Sequence, residues 1–475
     1  MTQPPPHSPH GPQHPPQVRG TDISQRATAP RGFGPAPQPF AQPTATSPPG
    51  AGKRRKALLI SLALVLIVGL GGGGWLLWRG DKGTAKSHVT PPEPKRVEAH
   101  LDWLIPTSDK DKADVRAKNP ATWFAHGNVI RTRARQITAY DVKHGKEQWT
   151  VPLPGELCAA SRVPDGDTAA VMYMKDRLTC NYLMAVNLKD GRQKWDLKLP
   201  GDRTGDGDYI DPRIRLAGGK AKVVGRIGSA TLAAADGKLL EHDKSNLLYE
   251  CRETDAPTDG KILISVVSCP GEKRDFLRKI DFATTKEDWT WKVPEGLKVL
   301  AVVEIAPVVV AVGKSEGEGP TDLLSVNSQG RTQATISLAG KAGGRVAVRN
   351  NTAYLATQPK EVSGSIKENE IEAIDLKSGL RRWTSSAGGH RVSRPIDFDD
   401  DKLLVYQAAQ AGDGGRLVDL DLRDGSPTVR KRLPAESSAV ESDLDFRSEI
   451  YFEDDRVFIV ADITAPAKYM LMSFS

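Results

Sequence analysis

The chain has 475 residues, with 66 Lys+Arg against 59 Asp+Glu, a net charge of +7, four Cys and 34 Pro. That length is far beyond a staple-held mini-protein, and neither CxxC nor HExxH spacing occurs, which excludes zinc-ribbon and zincin chemistry. Ten Lys and Arg against two Asp fall in residues 1–90, so residues 91–475 sum to −1; a near-neutral folded region does not neutralise a phosphate backbone, and nucleic acid is excluded as a partner.

Residues 1–56 are a Pro-rich tail ending in the basic run Lys53-Arg54-Arg55-Lys56, with fourteen Pro in residues 1–52. Such a composition cannot bury enough apolar surface to offset the entropy of ordering, so a disordered segment is expected. Residues 57–78 contain no charge and as a helix span about the hydrocarbon thickness of a bilayer. This reads as a transmembrane helix rather than a cleaved leader, because it starts late and ends in Trp75 and Trp78. The basic run at its N-terminal end orients it with the tail in the cytoplasm and everything after Trp78 outside. Residues 79–96, with Pro91, Pro92 and Pro94, form a stalk, and the folded region covers 97–475.

Within residues 97–475 a single frame repeats. ITAYDVKHGKEQW, LMAVNLKDGRQKW and IEAIDLKSGLRRW place Asp or Asn, Gly four residues on, and Trp four further: Asp141/Gly145/Trp149, Asn187/Gly191/Trp195 and Asp375/Gly379/Trp383. Looser copies are Asp281/Thr285/Trp289, Asp421/Gly425 without Trp, a shortened one at Asn327/Gly330, and the weakest at Gly237. Their turns fall 45 to 49 residues apart. Apolar runs on both sides of a Gly-containing loop specify a β-hairpin, in which Gly supplies the positive φ and the Asp side chain accepts hydrogen bonds from turn amides. Two further apolar runs per period complete four short strands, the size of a propeller blade.

Trp103 lies one period before Trp149, in a segment that resembles the outer strand of a blade lacking its first three strands. The C-terminal runs at 450–451, 457–461 and 469–474 supply three strands and then the chain ends. The expected fold is therefore an all-β, eight-bladed β-propeller closed by the strand around Trp103, with seven blades as the alternative if the weak third unit is irregular.

The frame in AYDVKHGKEQW resembles the repeat of the quinoprotein-like (PQQ-like repeat) β-propeller family. That family includes pyrroloquinoline quinone dehydrogenases and non-enzymatic outer-membrane assembly lipoproteins. The resemblance covers about residues 97–475 and implies that Trp149, Trp195, Trp289 and Trp383 pack between blades. The enzymes carry an adjacent Cys pair over the quinone and a calcium site of Asp, Asn and Glu; no adjacent Cys occur here. The resemblance is thus closer to the non-enzymatic members, and no cofactor is expected.

Two further groups stand out. Asp202, Asp206, Asp208 and Asp211 alternate around Gly207, a pattern that suits an oxygen-seeking cation such as calcium, yet Arg213 stands where a closing Glu belongs, so a solvated acidic loop is preferred. Outside the membrane, Cys158 with Cys180 and Cys251 with Cys269 are candidate local disulfides. The reading is a single-pass cell-membrane protein with a cytoplasmic N-terminus. Its extracytoplasmic propeller would be a non-catalytic binding or scaffolding module for protein or envelope-polymer partners, the alternative being a PQQ-dependent dehydrogenase or cofactor-binding protein.

Overall fold

The repeated frame folds as one turn, used seven times. The five-residue connections 142–146, 188–192, 234–238, 282–286, 327–331, 376–380 and 422–426 each join two antiparallel strands. Gly145, Gly191, Gly379 and Gly425 have φ of +65° to +75°, and each donates its N–H to the frame Asp or Asn carbonyl at 2.8–2.9 Å. Asp141 Oδ1 accepts from the amides of Lys143 and His144 at 3.0 and 2.8 Å, and Asp375 Oδ1 likewise from Lys377 and Ser378 at 2.9 and 2.8 Å. The side chain thus satisfies turn amides that lack a ladder partner.

The computed structural model describes residues 97–475 except 109–119, 176–178, 202–208, 226–227, 244–249, 316, 342–345, 365, 411, 443–447 and 462–467. The tail, the 57–78 span and the stalk lie outside them, and no helix among the described residues is long and apolar enough to cross a membrane.

Eight four-stranded antiparallel blades follow one another along the chain: blade 1 (122–152), blade 2 (156–198), blade 3 (213–243), blade 4 (252–292), blade 5 (298–337), blade 6 (347–385), blade 7 (393–432) and blade 8 (449–474). The weak third unit is a regular blade, so the seven-bladed alternative fails. Blade 8 takes its fourth strand from Leu101–Pro106, with Trp103 opposite Ser473. This pairing of the two ends of the folded region closes the ring and removes a free sheet edge.

Three features have no counterpart in the repeat. Val97–Glu98 adds as a parallel fifth strand on Pro427–Arg432 of blade 7. A separate hairpin, Lys360–Ser363 with Ile366–Glu368, is inserted in blade 6. A helical turn, Ser438–Ser442, precedes blade 8.

First strands contact the first three strands of neighbouring blades, so they line the centre and fourth strands form the circumference. The core is accordingly divided among the eight seams between blades. It is largest between blades 2 and 3, with seventeen buried residues, and smallest between blades 3 and 4, with five: Ala217, Val224, Ala256, Leu263 and Phe282.

At five seams the fourth-strand Trp of one blade lies on the turn Gly of the next. A Cβ on Gly145 would come within 2.6 Å of Trp103, on Gly191 within 2.6 Å of Trp149, on Gly237 within 2.8 Å of Trp195, on Gly330 within 3.0 Å of Trp289 and on Gly425 within 2.6 Å of Trp383. Three of these indoles also donate across the seam: Trp103 to the Val142 carbonyl at 3.2 Å, Trp195 to Ala234 at 3.0 Å and Trp383 to Leu422 at 3.0 Å.

Candidate binding surface

The two faces of the disc differ in how the chain is spent on them. Connections between the first and second strands and between the third and fourth strands share one face. Six of the former are two residues long, at 126–127, 218–219, 306–307, 350–351, 400–401 and 454–455, and the latter are the seven five-residue frame turns. Gly218-Gly219, Asn350-Asn351 and Asp454-Asp455 hold both residues at positive φ, the geometry that matches the twist of a tight hairpin.

The opposite face carries the long connections. They reach 14 residues at 199–212 and 357–370, and 16 at 433–448. Loops held by a rigid scaffold are where propellers and other closed β-folds place binding groups.

On this loop face, disulfide Cys158–Cys180 joins the first and third strands of blade 2, and Cys251–Cys269 joins the residue before the first strand of blade 4 to the residue after its second strand. The hairpin of blade 6 stands clear of the disc and exposes Val362 (50%) and Ile366 (43%). Its base is fixed by buried Asn369, whose Oδ1 accepts from the Ser393 amide at 2.6 Å and whose Nδ2 donates to the Thr357 and Ser393 carbonyls, both at 3.0 Å. Glu368 adds a side-chain hydrogen bond with His390.

Beside it lies a buried polar network. Arg391 donates to the Ala408 and Gly414 carbonyls at 3.0 and 2.8 Å and also pairs with Asp413, which Arg416 contacts at 2.8 Å. The Glu441 carboxylate accepts from Tyr406 Oη at 2.7 Å, the Gly415 amide at 3.0 Å and Ser437 Oγ at 2.5 Å. Burial pushes the Glu441 carboxyl up, and burial together with Glu441 pushes the Tyr406 hydroxyl well up. Each of these carboxylates already holds several donors, which suits a rigid support for the loops rather than an acid or base aimed at a substrate.

The charged groups of the inner strands are similarly committed. Asp255 takes Arg213 at 2.8 Å and Arg215 at 3.0 Å, and Lys222 meets Glu253 at 3.0 Å. The residues do not fit a quinone of the dehydrogenase kind. The cysteines pair with partners 22 and 18 residues away rather than as an adjacent pair, and the inner carboxylate Asp255 is held by two guanidinium groups.

Of the calcium candidates, Asp202, Asp206 and Asp208 lie outside the described residues, and Asp211 is exposed with φ +51°. No group of three or more His, Cys, Asp or Glu among the described residues is placed to hold a metal. Repeat residues Trp149, Trp195, Trp289 and Trp383 fall in the seams. Asn369, Arg391 and Glu441 were not singled out by the sequence, because they belong to insertions with no repeat register.

A family model described as outer membrane protein assembly factor BamB, built on the PQQ-like repeat, matches residues 110–246 and 367–474, just over half of the chain. No curated protein matches. Among solved structures, BamB from Moraxella catarrhalis aligns at 12% identity and TM-score 0.42, covering 78% of this chain and 98% of its own. The dihydro-heme d1 dehydrogenase NirN aligns at 13% and 0.44, covering 66% and 67%, and a europium-containing methanol dehydrogenase at 9% and 0.43, covering 79% and 93%. With the repeat matched on both sides of the ring and eight blades closed by the N-terminal strand, the chain belongs to the PQQ-like-repeat, BamB-like β-propeller family.

Proposed function

We propose that this protein is a membrane-anchored, extracytoplasmic binding module that presents its loop face to a protein partner and performs no catalysis. The observation that carries the reading is the asymmetry of the disc. One face is closed by short turns of two to seven residues, while the other concentrates the long connections, both disulfides and a projecting hairpin with Val362 and Ile366 exposed. Exposed apolar side chains on a rigidly based protrusion are the usual anchors of a protein interface. The matched family, described as an assembly factor of the outer membrane, supports a protein partner over a small substrate. The uncharged span 57–78, with the basic run before it, supports an anchor whose propeller lies outside the cytoplasmic membrane.

The test is site-specific photo-crosslinking in intact cells, with the reactive residue at Val362 on the loop face or at Leu380, which is 69% exposed on the turn face. Discrete protein adducts at Val362, absent at Leu380 and lost in Ile366→Asp, are expected, with the protein retained in the membrane after alkaline extraction. Adducts confined to Leu380, or a stoichiometric quinone with dye-linked dehydrogenase activity in the purified protein, would overturn the reading.

A further inference from the structure

We propose a second docking site, on the circumference of the disc: the outer edge of blade 3, strand Leu239–Asp243, takes an extended apolar and basic segment of a partner protein as an added β-strand. Six large hydrophobic side chains are exposed among the described residues, and two of them, Leu239 (44%) and Leu240 (51%), are neighbours on this one strand. The ladder shifts register here, with Leu232 opposite Leu239 and Thr231 opposite Glu241, so Leu240 is the bulged residue and both leucines stand exposed at this edge. No further strand among the described residues pairs with its outer side.

The seam beside it is unlike the five that carry the Trp-on-Gly contact. Blade 3 has Glu241 where the frame puts Trp, and blade 4 has Thr285 where the frame puts Gly. The corner therefore lacks the aromatic clamp that covers the next blade elsewhere.

The protein itself shows how such an edge is covered. Blade 7 also lacks the Trp, with Val429 in its place, and there the chain lays its own Val97–Glu98 along Pro427–Arg432, in register Val97 to Lys431 and Glu98 to Arg432. Blade 5, the third without Trp, exposes only polar residues on Thr332–Ser337. Blade 3 thus combines an unclamped seam, an edge that no described strand pairs with, and exposed leucines.

The occupant follows from charge and position. Glu241 and Asp243 are exposed beside the leucines, so the complementary strand alternates apolar residues with Lys or Arg. A second copy pairing antiparallel about the middle of this strand would set Glu241 against Glu241. The stalk of the same chain leads into Val97 at blade 7, four blades round the ring.

The test uses the full-length chain in detergent and a fluorescent peptide of alternating Lys and Val, with a Glu and Val peptide as control. The Lys and Val peptide is expected to bind about tenfold tighter than the control, with added hydrogen-exchange protection at residues 239–243. Leu240→Lys should weaken it about tenfold and Glu241→Lys should reverse the peptide preference, while Leu380→Lys changes nothing. Absence of binding, equal binding by Leu240→Lys, or protection elsewhere would overturn the proposal. So would a concentration-dependent dimer that Leu240→Lys abolishes, since a second copy would then be the occupant. The crosslinks at Val362 report on the loop face and the peptide on the circumference, so either proposal can fail without the other.

Discussion

The seam between blades 2 and 3 and the seam between blades 3 and 4 flank the same blade and are held by different physics. In the first, Trp195 is 8% exposed, lies on Gly237 and donates to the Ala234 carbonyl within the largest apolar layer of the ring. In the second, the apolar layer is the smallest and the indole is replaced by charge: Arg213 and Arg215 on Asp255, Lys222 on Glu253, and Lys220 donating to the Phe282 carbonyl at 3.3 Å while lying 4.8 Å from that side chain's ring. The Phe282 carbonyl occupies the frame position that Val142, Ala234 and Leu422 occupy elsewhere. A buried carbonyl needs a donor, and a Lys supplies it where no Trp does. The seam between blades 5 and 6 solves the same problem a third way. Ala334 replaces Trp, and Ser325 donates its hydroxyl to the Leu376 carbonyl at 2.5 Å. At these seams the carbonyl after the frame position takes its hydrogen bond from an indole, a Lys or a Ser; at the seams of Trp149 and Trp289 the indole N–H has no partner among the described residues and the ring fills space alone.

This comparison can be broken by substitution. Trp195→Ala empties the apolar seam and should cost about 3–5 kcal/mol, read by denaturant unfolding of the purified protein. Asp255→Ala leaves two guanidinium groups facing a lost partner; because Arg213 is partly exposed, the expected loss is about 2–3 kcal/mol. That loss should shrink as salt rises, unlike that of Trp195→Ala. Equal salt dependence of the two variants would show that the seams do not differ in kind.

The frame turns offer a smaller, pH-dependent comparison. Hydrogen bonds from Arg423 hold the Asp421 carboxyl down at about 2, and those from Arg382 hold Asp375 below the usual carboxylate range. These folded-state values lie below the unfolded ones, so the contribution is full above about pH 4 and is lost as pH falls towards about 2. Protection of the Arg423 and Ser378 amides, relative to their unstructured exchange rates at the same pH, should therefore fall below about pH 4 while amides in the seams stay protected. Smallest is Thr285→Gly: Thr285 sits at φ +60°, a region Gly adopts at no steric cost, so the change should stabilise by about 1 kcal/mol at most.

The sequence carried the ring because its signals are periodic. The frame Asp, Gly and Trp recur at a fixed spacing, and the spacing of Trp103 from Trp149 shows which strand closes the ring. What it did not carry are devices outside that register. Arg213 and Asp255 are 42 residues apart, less than a period, and neither falls on the frame. Ser325 stands on a different strand from the Trp it replaces. The parallel strand Val97–Glu98 is two residues long, too short to show a pattern, and the hairpin around Val362 lies in a connection that no other blade shares. The Arg391 and Glu441 network shares that origin, since Glu441 comes from the helical turn before blade 8.

The most direct test of the seam account is a double-mutant cycle that restores the frame between blades 3 and 4. Elsewhere the ring sits 2.6–3.0 Å from where a Cβ on the turn Gly would be, so Glu241→Trp alone should collide with Thr285, and the pair Glu241→Trp with Thr285→Gly should dock. The account predicts a favourable coupling of at least about 1 kcal/mol in unfolding free energy; additivity within about 0.5 kcal/mol would contradict it.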